Sequence, residues 1–313
     1  MISGEKILIT GASGEIGRKL GKFLAQENEV WALARYAAQM PEAKEKALAA
    51  ATGAHMRPIA IDLGAPDFSE LPQDFTYVLH LAHTRRGPAE FIESIDINAV
   101  GAGLLLQHCR KAKAALVMSS TAVYSPPADP FEALSERSDI GRAFAPWAPS
   151  SPVSKVSLEA VARFCAEAFG LPVAVMRLNT VYGPEMNVMP VLNMDAVVRG
   201  DPVRVFADPY PHSPIHIDDM CDQLEALLAA ASSKPANIVN WCGDEVVLQR
   251  GWCDMVGRWC GKPVDMVVNP IPGTRNGNAC DPGRRTSITG PCTRPFEPSF
   301  RAIYDQRHGA HRG

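Results

Sequence analysis

Lys6-Ile7-Leu8-Ile9-Thr10-Gly11-Ala12-Ser13-Gly14-Glu15-Ile16-Gly17 puts a short apolar run, a glycine-spaced turn and the start of a helical pattern in direct succession. Lys6 to Thr10 has the length and apolar continuity of a strand buried on both faces. Glu15 to Gln26 then carries apolar residues at three- and four-residue spacing, the period of a helix with one buried face. Between them, the glycines permit a tight turn, close approach of backbone to a pyrophosphate, and close packing of helix on strand. Free amides and the positive end of the helix would hold the phosphates. Gly11, Ser13, Gly14, Glu15, Ile16 and Gly17 are therefore candidate dinucleotide contacts. Glycine patterns recur in many turns, and it is the strand before and the helix after that give this one its weight.

Working outward, the same alternation continues. Glu29 to Leu33, Arg57 to Ile61, Tyr77 to Leu81, Ala115 to Ser119 and Pro172 to Arg177 read as further buried strands, and Ser94 to Lys111 and Val153 to Phe169 as helices between them. Alternating strands and helices predict an α/β fold, a Rossmann-type doubly wound parallel sheet. After about Tyr182 the chain becomes richer in Pro and Gly. The expected organisation is a dinucleotide-binding domain over 1–180 and a smaller C-terminal, mainly substrate-binding region over 181–313. Within the latter, 215–243 returns to the sheet through a helix from Asp218 to Ala231 and a strand from Ile238 to Trp241. From Pro270 onward the composition predicts loops, with a poorly ordered tail after Gln306.

The bulk properties agree with an ordinary globular protein. Of 313 residues, 46% are hydrophobic and 21% charged, with a formal net charge of -3, so no basic excess points to nucleic acid. The eight cysteines lack the closely spaced pairs that a zinc or redox dithiol site would need, and no metal is expected. The N-terminus lacks a secretory leader, and no apolar run is long enough to span a bilayer. A cytoplasmic protein without membrane partners is the expectation.

The second strand ends Leu33-Ala34-Arg35. An acidic residue there would accept from the ribose 2'-hydroxyl of NAD. Ala34 leaves that role empty, and Arg35 is either a partner for the 2'-phosphate of NADP or a solvated arginine lying over the adenine. Asp62-Leu63 follows the third strand, where Asp62 could accept from the adenine amino group or act as a turn residue. His80-Leu81-Ala82-His83 ends the fourth strand at the carboxyl edge, where ligands of such sheets bind. Leu81, Ala82 and His83 are candidate cofactor-lining residues, and neither histidine has metal-ligand company.

Taken together, these segments resemble the extended short-chain dehydrogenase/reductase family, the group of NAD-dependent epimerases and dehydratases. The resemblance covers nearly the whole chain. Further marks are Asn98, Ser119-Ser120-Thr121-Ala122-Val123-Tyr124, Ser154-Lys155, Arg177 with Val181-Tyr182-Gly183-Pro184, and Ile215-His216-Ile217-Asp218-Asp219. The resemblance implies that Ser120 hydrogen-bonds the reacting oxygen and that Lys155 holds the nicotinamide ribose and supplies positive charge. It implies that Leu178, Asn179 and Val181 line the nicotinamide pocket and that Asn98 ties the fourth helix to the active-site strand.

One departure changes the expected chemistry. The family places a tyrosine four residues before the lysine, and here that position is Ser151. None of the six tyrosines precedes a lysine by four. A phenol with a reference pKa of about 10 can be brought near neutrality beside an ammonium. A serine hydroxyl ionises far less readily, and losing a positioned acid/base costs roughly 10²- to 10⁴-fold in rate. Ser120, Ser151 and Lys155 are accordingly the candidate catalytic residues, with Ser151 as a weak base or relay.

This favours reduction of an activated ketone over oxidation of an unactivated alcohol. Thr121-Ala122 lacks the acidic pair of sugar dehydratases, and His212 stands where nucleotide-sugar enzymes carry a diphosphate-binding arginine. The expected function is thus an atypical NADPH-dependent ketoreductase of a small, polycyclic or phenolic carbonyl compound, with NADP as cofactor and NAD as the alternative. The rivals are a nucleotide-sugar epimerase with tightly bound NAD and a catalytically inactive nucleotide-binding regulator. Homodimerisation through the helices over 94–111 and 153–169 is expected by analogy.

Overall fold

A computed structural model of the chain describes residues 2–35, 56–84 and 90–309. The strands β1 (Lys6–Thr10), β2 (Glu29–Ala34), β3 (Arg57–Ala60), β4 (Tyr77–His80), β5 (Ala114–Ser120) and β6 (Val173–Leu178) join the strand Asn237–Trp241 in one seven-stranded sheet. Its order runs from Asn237–Trp241 through β6, β5, β4, β1 and β2 to β3. The pairs β1 with β2, β1 with β4, β2 with β3 and β4 with β5 are parallel. The strand order reverses between β1 and β4, which leaves a crevice at their carboxyl ends where such sheets take ligands. This is the doubly wound α/β fold that the alternation of periods predicts.

The sequence reasons for the sheet are local. Ile7, Leu8 and Ile9 are fully buried, as are Ala115, Leu116 and Val117 of β5, so these strands show no apolar–polar alternation. β3 contains Pro58, which cannot donate to a ladder, and β3 is accordingly an edge strand. α1 (Glu15–Leu24) turns Gly17, Leu20, Gly21 and Leu24 inward.

Two further helices bear on the site. The first runs as Phe91–Ile95, a π-turn over Asp96–Val100, and Gly101–His108. The second is Ser151–Phe169, which ends at Gly170 in the left-handed conformation, φ 65°. They pack closely: a Cβ at Gly103 would lie 2.7 Å from Cγ1 of Val161.

The chain divides into two compact units. One comprises residues 1–120, 147–177 and 223–239, and the other 121–146, 178–222 and 240–313. The segment 121–146 thus groups with the later part of the chain, so the division follows no single boundary near residue 180. The core of the first unit joins Leu8, Leu33, Val78, Leu105, Leu106, Val117, Leu158 and Val175.

The second unit has its own core of Val191, Met194, Trp252, Val256, Phe296, Phe300 and Tyr304. Here one expectation needs correction. The stretch after Pro270 contains two helices, Gly283–Thr289 and Phe296–His308, instead of loops alone. Phe296, Phe300, Ile303 and Tyr304 recur at four, three and one residues and are all buried, so helical periodicity outweighs the Pro- and Gly-rich composition. The helix also continues beyond Gln306, where Arg307 and His308 both bond Asp195, at 2.7 and 2.9 Å. Residues 310–313 of the expected tail lie outside the described residues.

Candidate active site

The loop after β1 is built by contact distances that only hydrogen side chains allow. Gly11 has φ 68°, and a Cβ there would lie 2.9 Å from the backbone N and Cα of Ala82. A Cβ on Gly17 would lie 2.3 Å from the Gly11 carbonyl oxygen. Both positions therefore need glycine, one for conformation and one for closeness of helix to loop. Ser13 and Gly14 are exposed at the mouth of the loop, and Glu15, Ile16 and buried Gly17 open α1. No side chain caps the N-terminus of α1, so its first amides remain donors for an anion. Arg18, in the first turn, has a buried Nε without a hydrogen-bond partner among the described residues. An uncapped helix N-terminus, an orphaned guanidinium nitrogen and a cradle that a methyl group would fill together fit a pyrophosphate.

Thr10 locks β1 to the end of β4. Its hydroxyl accepts from the backbone N–H of Leu81 at 3.1 Å and of Ala82 at 3.0 Å, and lies 3.0 Å from Nδ1 of His80. With both acceptor sites taken, the hydroxyl donates its own hydrogen to Nδ1 of His80. His80 is completely buried, and burial, with the nearby Lys155 charge second, pushes its pKa down to about 3. It is a neutral element of the frame. Leu81 and Ala82 are half-buried beside the glycine loop.

Ser151, Lys155 and Glu159 follow one another at four-residue spacing and so share one face of the Ser151–Phe169 helix. Each meets a different part of the sheet edge. Ser151 Oγ lies 2.9 Å from Nε2 of His83, just after β4. Lys155, 4% exposed, donates from Nζ to the Met118 carbonyl of β5 at 2.5 Å. Glu159 accepts from Ser119 Oγ at 2.5 Å and forms a buried two-pronged pair with Arg177 of β6, at 3.0 and 2.7 Å. Ser120 ends β5 and is half-buried.

Asn98 completes the frame from the π-turn, a local widening of the helix that recurs near functional sites. Its side chain accepts from the Thr84 amide at 2.8 Å, donates to the Thr84 carbonyl at 3.0 Å and donates to Ser154 Oγ at 3.2 Å. The chain just after His83 is thereby tied to the helix that carries Ser151.

The remaining candidates are placed as follows. Arg35 is exposed at the end of β2. Asp62 is exposed, and its Oδ1 accepts from the Gly64 amide at 3.0 Å, which is the turn role; Leu63 beside it is buried. Leu178, Asn179 and Val181 lie in the second unit. The Asn179 amide is engaged there with the Asn278 carbonyl at 2.7 Å and the Thr180 N–H at 2.7 Å.

His212, also in the second unit, is buried with a pKa pushed down to about 3 by burial first and the Arg275 charge second. Its ring sits 4.4 Å from Tyr210 and 5.2 Å from Trp252. It is a neutral aromatic packing group with a Thr180 hydroxyl 2.8 Å from Nδ1, not a cation. Among the described residues there is no cluster of three or more His, Cys, Asp or Glu able to hold a metal, and no helix long and apolar enough to cross a membrane.

Sequence reasoning treated His83 as a cofactor-lining residue and gave no role to Thr10, Arg18 or Glu159. Thr10 and Arg18 flank the glycine loop and were within reach of local reasoning. Nothing in the sequence links His83 to Ser151, 68 residues away.

The architecture is shared with known enzymes. UDP-glucuronic acid 4-epimerase from Bacillus cereus, in complex with UDP-glucuronic acid and NAD, superposes with a TM-score of 0.80 at 22% identity, over 96% of this chain and 98% of that one. UDP-N-acetylglucosamine 4-epimerase from Methanobrevibacter ruminantium, in complex with UDP-N-acetylmuramic acid, gives 0.79 at 19% identity, over 96% and 97%. The Bordetella bronchiseptica enzyme WbmG, in complex with NAD and UDP, gives 0.75 at 22% identity, over 97% and 95%. At such identities the likeness shows the fold. No curated protein matches the chain. The NAD dependent epimerase/dehydratase family matches residues 7–242, three quarters of the sequence. The chain belongs to that family, and is an NAD(P)-dependent enzyme of the short-chain dehydrogenase/reductase type.

Proposed function

We propose that the protein is an epimerase of a nucleotide sugar that keeps NAD bound through its catalytic cycle. The observation that carries this reading is the single helix face that presents Ser151 and Lys155 to the ends of β4 and β5, in a fold shared with NAD complexes of UDP-sugar 4-epimerases. A bound pyridine dinucleotide would supply the acceptor and donor of a hydride. Gly11, Ser13, Gly14, Glu15, Ile16, Gly17 and Arg18 would hold its pyrophosphate, Asp62 and Leu63 its adenine, and Lys155 its nicotinamide ribose. Leu81 and Ala82 would wall the nicotinamide. Ser120 would hold the reacting oxygen.

The His212 position, where an arginine for the sugar-linked diphosphate was expected, weighs less against a nucleotide sugar once the second unit is considered as a whole. Arg275 lies close enough to His212 to depress its pKa. Its guanidinium is held by the Thr121 carbonyl at 2.7 Å and Asn278 Oδ1 at 2.6 Å. Arg275 would be the residue of this unit that supplies positive charge for a diphosphate.

A second reading, NADPH-dependent reduction of a small activated ketone, is favoured by Ser151 in place of a phenol and by Arg35 at the end of β2. Counting the nucleotide released on denaturation separates the two. About one NAD per chain, with conversion of UDP-glucuronic acid or UDP-glucose to its epimer, supports the epimerase. Exchangeable NADP, with NADPH consumed by a 1,2-diketone, replaces it with the reductase. Binding of neither coenzyme, or undiminished turnover in both Ser120→Ala and Lys155→Ala, defeats both.

The apolar residues left on the helix surfaces support a homodimer. Ile92, Val100 and Leu104 are exposed at 73, 49 and 43%, and Val153 and Phe164 at 40 and 64%. They form stripes on the two adjacent helices named from the sequence. Phe164→Glu is expected to shift the sedimentation coefficient to that of a monomer.

A further inference from the structure

We infer that His83 works through Ser151 as a two-residue proton relay, replacing the phenol that the rest of the family uses as its acid/base. The inference rests on the hydride-transfer reading above, and it assigns the proton, which that reading leaves without a carrier.

Ser151 is the first residue of the Ser151–Phe169 helix, and its backbone N–H is already engaged with the Ala148 carbonyl at 2.9 Å. Its hydroxyl meets Nε2 of His83 at 2.9 Å. A serine hydroxyl alone is a poor base, but one that donates to an imidazole can pass its hydrogen on as it receives another. Imidazole is the side chain whose ordinary pKa, about 6.5, suits such a transfer near neutrality.

The surroundings hold the pair in register. Thr84, next to His83, is clasped through both its amide and its carbonyl by Asn98, which also reaches Ser154 on the helix of Ser151. The charged groups on that helix face are Lys155, one turn beyond Ser151, and Glu159, two turns beyond it and paired with Arg177. On the strand side, His80 is held neutral by burial and by Lys155. The same charge and the helix N-terminus favour negative charge developing on an oxygen held at Ser151.

On oxidation of a carbinol, a bound nicotinamide would take up the electron pair of the broken C–H bond as hydride. The carbinol O–H bond breaks, its proton bonds to Ser151 Oγ, and the hydrogen previously on Ser151 bonds to Nε2 of His83. A C=O bond and an imidazolium result. On reduction, hydride returns to carbon, Ser151 gives its proton to the oxygen, and His83 restores the hydrogen to Ser151. In an epimerase the two halves cancel, and no proton from solvent is required.

Kinetic and spectroscopic readouts together test the relay. With UDP-glucuronic acid, UDP-glucose and an NADPH-driven diketone as probes, His83→Gln and Ser151→Ala are each expected to lower kcat roughly 10²- to 10⁴-fold. The coenzyme dissociation constant should stay within about threefold, and the double variant should be no worse than the poorer single one. In a Ser151→Tyr background, which restores the phenol, the His83→Gln penalty should fall below about threefold. Independently of turnover, ¹⁵N spectra of histidine-labelled protein should show one imidazole titrating between pH 5 and 8, absent in His83→Gln and displaced by Ser151→Ala. A His83 ring in one charge state from pH 5 to 9, indifference of that ring to Ser151→Ala, or full turnover in His83→Gln overturns the relay. Failure of the unaltered protein to bind either coenzyme overturns the hydride-transfer reading instead, and the spectra still decide whether the pair exists.

Discussion

The loop from Gly11 to Gly17 and the first turn of the Ser151–Phe169 helix lie in the same unit, yet they relate to the family in opposite ways. The loop carries the glycine spacing on which the resemblance to the family rests, and its geometry explains why: Gly11 and Gly17 leave no space for a methyl group. The helix turn keeps Lys155 but has Ser151 four positions earlier, and that serine is met by His83 from the chain just after β4. On the proposed function, coenzyme binding and proton handling would be separate structural problems, the first met by a close-packed backbone loop and the second by side chains that can be exchanged for another titrating group within reach.

The largest effect expected from pressing on this contrast concerns the support beneath the turn that carries Ser151 and Lys155. Glu159→Ala removes the carboxylate paired with Arg177, whose side chain is 4% exposed. It should cost about 3–5 kcal/mol of stability, read as a drop in urea midpoint. A midpoint unchanged within error would show that the helix face is not held by this pair.

Next comes the loop. Gly17→Ala puts a methyl against the Gly11 carbonyl, and an overpacked contact of this kind costs about 1–3 kcal/mol. Calorimetry should report coenzyme affinity weakened roughly ten- to a hundredfold, while Ser151→Ala leaves it nearly unchanged. The opposite ranking would dissolve the separation of binding from proton handling.

A pH dependence follows from the two neutral buried histidines, one in each unit. His80 and His212 have folded pKa values lowered to about 3 from an ordinary 6.5. Below pH 6.5 the unfolded chain therefore takes up protons that the folded rings refuse. Their contribution to stability is present above pH 6.5 and declines as pH falls toward 3, with a limiting slope of about 1.4 kcal/mol per pH unit for each ring. Between pH 6.5 and 5, above the range of most carboxylates, the urea midpoint should already fall. A flat midpoint there would mean that the unfolded chain gains no such advantage.

The smallest effect belongs to Arg35, exposed at the end of β2. Arg35→Ala should change NAD affinity by less than about fivefold, as exposed charges contribute roughly 0–1 kcal/mol. A large loss confined to NADP would move the coenzyme assignment toward the reductase reading.

Much of this was legible in the residues. The strand–glycine–helix succession, the apolar continuity of β1 and β5, and the lysine on its helix are local patterns, and local patterns fold locally. The Phe296–His308 helix was equally legible through its spaced aromatic residues, but composition was given precedence over period. What could not be read was partnership across the chain. His83 and Ser151, Glu159 and Arg177, Asn98 and Ser154 meet only because strands β4, β5 and β6 stand side by side under one helix.

By itself, the sequence determined the doubly wound sheet, the glycine-spaced loop and the serine four residues before Lys155, since these depend on residue type at fixed short spacing. Only the tertiary structure decided that His83 meets Ser151, because a hydrogen bond between side chains 68 residues apart is set by how the sheet edge and the helix pack together. It likewise made His212 a neutral packing group, through burial among aromatic rings that no neighbouring residue in the chain reveals.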